Sequence, residues 1–235
     1  MFYEMFSKIN SVARAPIQSF ISVALSADNT VIWYDHWEDD YEFDILNATA
    51  HTTTTEIWGD GNAANGCAPD IQPCTDETDK LMSGDNVVIE NIVTLPRDGS
   101  QIKYDGGDRL QASFPIALTR GAYPDRPGSL MAGATEVYST QHWGKNFEAP
   151  VGDDIGVNAF QYSGLFFMAA YDNTVVTLPN ATDITLNQGE SAMVTVGQRD
   201  KLVSSAPIQV HLITGDRGSE YELRWFSLLP TESCK

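Results

Sequence analysis

The stretch Asp35-His-Trp-Glu-Asp-Asp-Tyr-Glu-Phe-Asp44 sets six carboxylates in ten residues. Clustered carboxylates suit Ca²⁺, a hard cation that takes roughly 6–8 oxygen ligands. Asp35, Glu38, Asp39 and Asp40 are the expected ligands, although the segment lacks the residue order and glycine turn of an EF-hand. The alternative is a solvated acidic strand and loop. Trp33, His36, Trp37 and Tyr41 lie in or beside the same stretch, with Trp58 nearby. Rings beside acids suit a sugar-binding face, where an aromatic plane covers an apolar sugar face and carboxylates accept hydroxyls. Trp37, Tyr41 and Trp58 are therefore the candidate ligand contacts. Alternation along a strand turns half of such rings inward, and Trp33 is assigned to the core. The acid pairs also suit a glycosidase, a chemistry that needs a set carboxylate separation across a cleft.

Other chemistry has less support. The histidines His36, His51, His142 and His211 are scattered, and no Gly-x-Ser-x-Gly or His-Glu-x-x-His pattern occurs. Gly59-Asp-Gly-Asn-Ala-Ala-Asn-Gly66 is a turn-rich loop without Walker or Rossmann spacing. The chain is read as a non-enzyme that requires no cofactor, with calcium as the candidate ion. Cys67 and Cys74 flank a short Pro-containing segment and are expected to form a disulfide in an oxidising compartment, two free thiols being the alternative. No second Cys or His pair stands at zinc-ligand spacing, and Cys234 is left over.

The elements that must position these residues are short strands. The 235 residues are 42% hydrophobic, enough for a substantial core, and carry a net charge of −18 from 32 acids and 14 bases. That balance excludes nucleic acid and anionic membrane as partners, since both need a basic surface. The longest apolar run, Leu165 to Ala170, is far short of the ~20 residues of a membrane helix. Lys8 and Asn10 interrupt Met1 to Arg14, which does not read as a leader.

Three sequence blocks recur in the same order. Asp28-Asn-Thr-Val-Ile-Trp33 matches Asp172-Asn-Thr-Val-Val-Thr177, and Ser83-Gly-Asp-Asn-Val-Val-Ile89 matches Gln188-Gly-Glu-Ser-Ala-Met-Val194. Asp108 to Leu118 matches Asp200 to Val210 without a gap. The pattern predicts an all-β chain of two tandem antiparallel sandwich-like repeats, over 17–125 and 126–235, after an N-terminal segment at 1–16. The first copy carries a long loop or hairpin insertion at about 34–82. Ile21, Val23 and Leu25 share one strand face, as do Ile208, Val210 and Leu212. Trp225 to Pro230 parallels Gly133 to Tyr138, so a third copy is expected to begin there, with an exposed apolar edge near Trp225 to Leu229.

At these blocks the chain resembles the N-terminal domain family of the IgGFc-binding protein, found in large secreted mucin-like proteins and bacterial surface proteins. The elements that carry the resemblance are Trp143-Gly-Lys-Asn-Phe147 with Pro150, the strand Leu165 to Ala170, Asp172 to Leu178, Leu186 to Glu190, and Ser204 to Val210. They are turns and strand ends, so the resemblance implies a fold and an extracellular or cell-surface setting. Immunoglobulin binding is not carried over, because no ligand-contacting residue can be matched. The expected function is a non-catalytic binding, adhesion or structural surface module, whose partners are a surface protein or glycan and neighbouring repeats. The alternatives are a calcium-dependent carbohydrate-binding module and a carboxylate-dependent glycan hydrolase.

Overall fold

The computed structural model describes residues 17–47, 53–93, 102–104, 106–124, 133–216 and 224–231. Segment 1–16, His51, Thr52, Asp105, Tyr221 to Leu223 and Cys234 lie outside them. The chain is all-β, with no α-helix among the described residues. It divides into two compact units, one spanning Ser19–Arg120 and the other running from Gly121 onward together with Ile17 and Gln18.

β1 (Ile17–Leu25), β4 (Asn86–Val93) and β6 (Ile116–Pro124), most of whose residues fall in the first unit, are the first three strands of a four-stranded sheet of order β4-β1-β6-β7, β7 being Gly133–Glu136. A separate three-stranded sheet has the order β3-β2-β5, from β2 (Ile32–Asp35), β3 (Glu56–Trp58) and β5 (Arg109–Ala112). Period-two alternation sends Val23 and Leu25 of β1 and Ile32 and Tyr34 of β2 into one core, where Trp58, Leu81, Val87 and Ile89 join them. Burying each large apolar side chain contributes about 1.5–3 kcal/mol. Trp33, expected in the core, is only half-buried; its strand neighbours Ile32 and Tyr34 take the inward positions.

The second unit holds β7 (Gly133–Glu136), β8 (Gly144–Glu148), β9 (Tyr162–Ala169), β10 (Thr174–Thr177), β11 (Asp183–Leu186), β12 (Ser191–Thr195), β13 (Lys201–Gly215) and β14 (Arg224–Leu228). The sheet order is β11-β10-β13-β9-β12, with β8 and β14 also paired to β13. Along β13 the register shifts between Val203 and Ile208, where Pro207 offers no N–H. The part before the shift pairs with β10, and the part after it pairs with β9 and β14. Such a bend lets one strand serve both layers of a sandwich. Leu165, Phe167, Val176, Leu202, Ile208, Val210 and Leu212 fill the core between them. At the C-terminal strand Trp225 is buried, while Phe226 and Leu229 are 50% and 63% exposed.

The matched blocks make matching bonds. Asn29 and Asn173 adopt left-handed φ of 58° and 56°. Thr30 Oγ1 donates to Ala27 O at 2.7 Å, and Thr174 Oγ1 to Tyr171 O at 2.6 Å. Asp28 Oδ1 accepts from Ser83 N and Asp172 Oδ1 from Gln188 N, each at 3.0 Å. Val31 N donates to Ser113 Oγ and Val175 N to Ser205 Oγ, each at 2.9 Å. The connections differ. Residues 178–182 and 187–190 join β10, β11 and β12, whereas 36–55 and 59–85 join β2, β3 and β4. The additional chain expected at about 34–82 thus falls into two segments with strand β3 between them.

Candidate functional site

The acidic stretch leaves β2 at Asp35, and the sheet register decides what it meets. Asp35 lies opposite Arg109 of β5, and Tyr34 opposite Glu56 of β3. Asp35 is fully buried, and its Oδ2 accepts from Arg109 Nη2 at 2.7 Å and from Glu42 N at 3.0 Å. Its Oδ1 accepts from Thr55 Oγ1 at 3.0 Å. The same Arg109 nitrogen donates to the Glu42 carbonyl, and its guanidinium carbon lies 5.5 Å from the Tyr41 ring centroid. One cation therefore ties the end of β2 to the loop that follows it.

A second charged cluster surrounds His36, whose side chain is 1% exposed. Nδ1 lies 3.0 Å from Lys103 O and 3.7 Å from Asp108 Oδ2, while Nε2 lies 3.5 Å from Glu56 Oε1 without the alignment of a hydrogen bond. Burial opposes the charged ring, but Asp108 and Glu56 outweigh it, and the His36 pKa is pushed up to about 10. Burial also opposes the Glu56 carboxylate, yet His36, Trp58 and Tyr104 hold its pKa below the ordinary value. Tyr104 is pushed up by burial and by its bond to Glu56. The carboxylates have protein donors as well. Trp58 Nε1 and Tyr104 OH bond Glu56 at 2.9 and 2.8 Å, and Tyr34 OH and Trp37 N bond Asp108 at 2.6 and 3.3 Å. Rings enclose the imidazole, with the Tyr34 and Tyr104 centroids each 5.1 Å away.

The expected site residues do not converge. Trp58 is fully buried and stacks on Tyr34 at 4.8 Å, so its face belongs to the core and not to a ligand surface. Trp37 and Tyr41 are half-buried against the segment that carries Gly107. Gly107 has φ of 126°, a Cβ there would meet the Trp37 ring at 3.1 Å, and Tyr41 OH donates to the Gly107 carbonyl. Of the four proposed calcium ligands, Asp35 is committed to Arg109, and Glu38 Oε1 accepts from Lys103 N at 3.1 Å. Asp39 Oδ2 accepts from Thr54 N at 2.9 Å, and Asp40 is exposed with φ of 69°. Among the described residues, the metal-type grouping with donor atoms within 4.8 Å of one another is His36, Glu38 and Asp108, which takes one of the four. Each member also has a protein partner: Lys103 O for His36, Lys103 N for Glu38, and Tyr34 OH and Trp37 N for Asp108.

Bracing the loop leaves its tip outside. Phe43 is fully exposed and Leu46 is 49% exposed, in the same stretch as the exposed Asp39, Asp40 and Asp44, while Ile45 turns inward. The second added segment is anchored as firmly. Asp79 is fully buried and accepts from Gly59 N, Gly61 N and Asn62 N at 2.6, 2.9 and 3.1 Å. Cys67 and Cys74 are bridged, with Cα atoms 5.9 Å apart. Sequence reasoning missed Glu56, Tyr104, Asp108 and Arg109, which lie far from the acidic stretch along the chain. Asp108 did carry a signal, since it opens a repeated block. Its counterpart Asp200 accepts from Gly197 N in a local turn, whereas Asp108 accepts from Tyr34 and Trp37.

The sequence model of the family described as IgGFc binding protein matches residues 18–234, nearly the whole chain, and the chain belongs to that family. No curated protein and no solved structure matches it.

Proposed function

We propose that this member of the IgGFc binding protein family is a non-catalytic extracellular binding module, built from two copies of one β repeat, that engages a protein partner through the tip of its first added segment. The observation that carries the reading is the exposed pair Phe43 and Leu46 on a loop braced by Arg109, Asp35 and Glu42. A rigid exposed aromatic is the residue type that anchors protein interfaces, since it buries large area at small entropic cost. The exposed Asp39, Asp40 and Asp44 form an acidic rim, so the complementary partner offers an apolar pocket bordered by Lys and Arg.

The test is a binding screen of extracellular proteins, immunoglobulin Fc among them, and of glycans, with and without chelator. A protein ligand is expected, insensitive to chelator and weakened about tenfold or more by Phe43→Ala with Leu46→Ala. Chelator-sensitive glycan binding that survives both substitutions would replace this reading with the calcium-dependent one, with Asp35, Glu38, Asp39 and Asp40 as ligands and Trp37, Tyr41 and Trp58 as sugar contacts. Polysaccharide turnover abolished by Asp39→Asn or Asp40→Asn would replace it with a hydrolase.

A further inference from the structure

The tripeptide Asn-Ala-Thr occurs twice, at Asn47-Ala48-Thr49 and at Asn180-Ala181-Thr182. Both fall on the same connection of the two units, between β2 and β3 in the first and between β10 and β11 in the second. Residues 48 and 49 lie outside the described residues, so the geometry comes from the second copy. There, residues 178–182 form a tight turn: Leu178 N donates to Thr182 O, and Ala181 N to Leu178 O, each at 2.9 Å. Asn180, Ala181 and Thr182 are all exposed at the tip of a hairpin whose outer strand, β11, ends the sheet order. Asn180 Oδ1 accepts from Thr182 N at 3.1 Å, while Asn180 Nδ2 and Thr182 Oγ1 have no hydrogen-bond partner among the described residues.

We propose that Asn180 is an acceptor for an N-linked glycan, with a lipid-diphosphate-linked oligosaccharide as the donor substrate. Asn-x-Ser/Thr is the acceptor pattern of that modification, and it requires an exposed asparagine. The inference rests on the extracellular reading above, because the modifying enzymes act on exported chains. In the transfer, Asn180 Nδ2 attacks C1 of the first sugar. A C–N bond forms, the C1–O bond to the diphosphate breaks, the lipid diphosphate leaves with the electron pair, and the amide nitrogen gives up one proton. The folded turn accommodates the product. The bond that orders it uses Oδ1, not Nδ2, and the edge hairpin leaves the attached sugars in solvent. Thr182 is the second determinant, through the hydroxyl that the fold leaves unused.

The experiment is translation of the full chain behind an imposed export signal in the presence of microsomes, with import scored separately by protection from added protease. The protected wild-type chain is expected to gain mass on the peptide holding Asn180. Peptide N-glycosidase in heavy-oxygen water should remove that mass and convert Asn180 to a labelled Asp. Asn180→Gln and Thr182→Ala should each lose this modification, and Thr182→Ser should keep it. A protected wild-type chain with an unmodified Asn180 peptide overturns the proposal, as does a glycan that persists on that peptide in Asn180→Gln. Because the signal is imposed, these outcomes are independent of where the native protein resides. Detection of the native protein inside its cell of origin would instead overturn the extracellular reading.

Discussion

His36 is the residue on which the first unit's buried electrostatics turns. Its imidazolium stands between Asp108 and Glu56, and the removal of one partner from a buried charge group strands the others. His36→Ala is expected to destabilise the unit by about 3–5 kcal/mol in urea unfolding. The pH dependence has a defined sign. Because the folded-state pKa is raised to about 10, the folded protein binds the proton more tightly than the unfolded chain does. The contribution is complete below the ordinary histidine value near 6.5 and is lost as pH rises through about 10. Unfolding free energies across that window should fall for the wild type and lose most of the slope in His36→Gln. Glu56 acts at the other end, where its contribution is lost as pH falls through its depressed pKa. Cys67→Ser is expected to cost about 2 kcal/mol, the loop-closure entropy of a short bridge. Thiol titration of the unfolded wild type should find Cys67 and Cys74 unreactive.

At the scale of elements, the two Asp-Asn-Thr turns offer a paired test. Asn29 and Asn173 hold nearly identical left-handed conformations. Glycine relieves that conformation and alanine does not. Asn29→Gly and Asn173→Gly are each expected to be neutral or stabilising by up to about 1 kcal/mol, and the Ala variants destabilising by about 1 kcal/mol, as measured by thermal unfolding. Opposite signs at the two positions would separate the turns physically and weaken the proposal that the units are copies of one repeat. β3 illustrates how an element escapes a sequence reading. Glu56-Ile-Trp58 is too short to show alternation, and it is a strand because it completes the β3-β2-β5 sheet and delivers Trp58 to the core.

For the whole molecule, a net charge of −18 sets the kinetics of association more than its affinity. With a basic-rimmed protein partner, the association rate should fall steeply with ionic strength, while dissociation changes little. Asp39→Asn, Asp40→Asn and Asp44→Asn together should flatten that salt dependence in stopped-flow or surface-binding kinetics, whereas Phe43→Ala should act on dissociation. An unchanged salt slope in the triple variant would place the encounter surface elsewhere on the molecule.

What the sequence determined by itself were the local quantities. Strand alternation at Ile21-Val23-Leu25 and Ile208-Val210-Leu212, the Asp-Asn-Thr turns and the family are written in neighbouring residues, because period-two patterning and left-handed asparagine turns are decided within a few positions. The pairing of Cys67 with Cys74 was legible for the same reason. The fate of the acidic stretch was not. Asp35 and Asp39 look alike along the chain, yet one is fully buried against Arg109 and the other exposed at a loop tip. That difference depends on the β2–β5 register, which brings a residue 74 positions away to Asp35. The same register places Asp108 beside His36, while the β2–β3 pairing brings up Glu56 and commits Trp58 to the core. Whether a charge is paired or solvated depends on distance in space, and only the tertiary structure sets those distances.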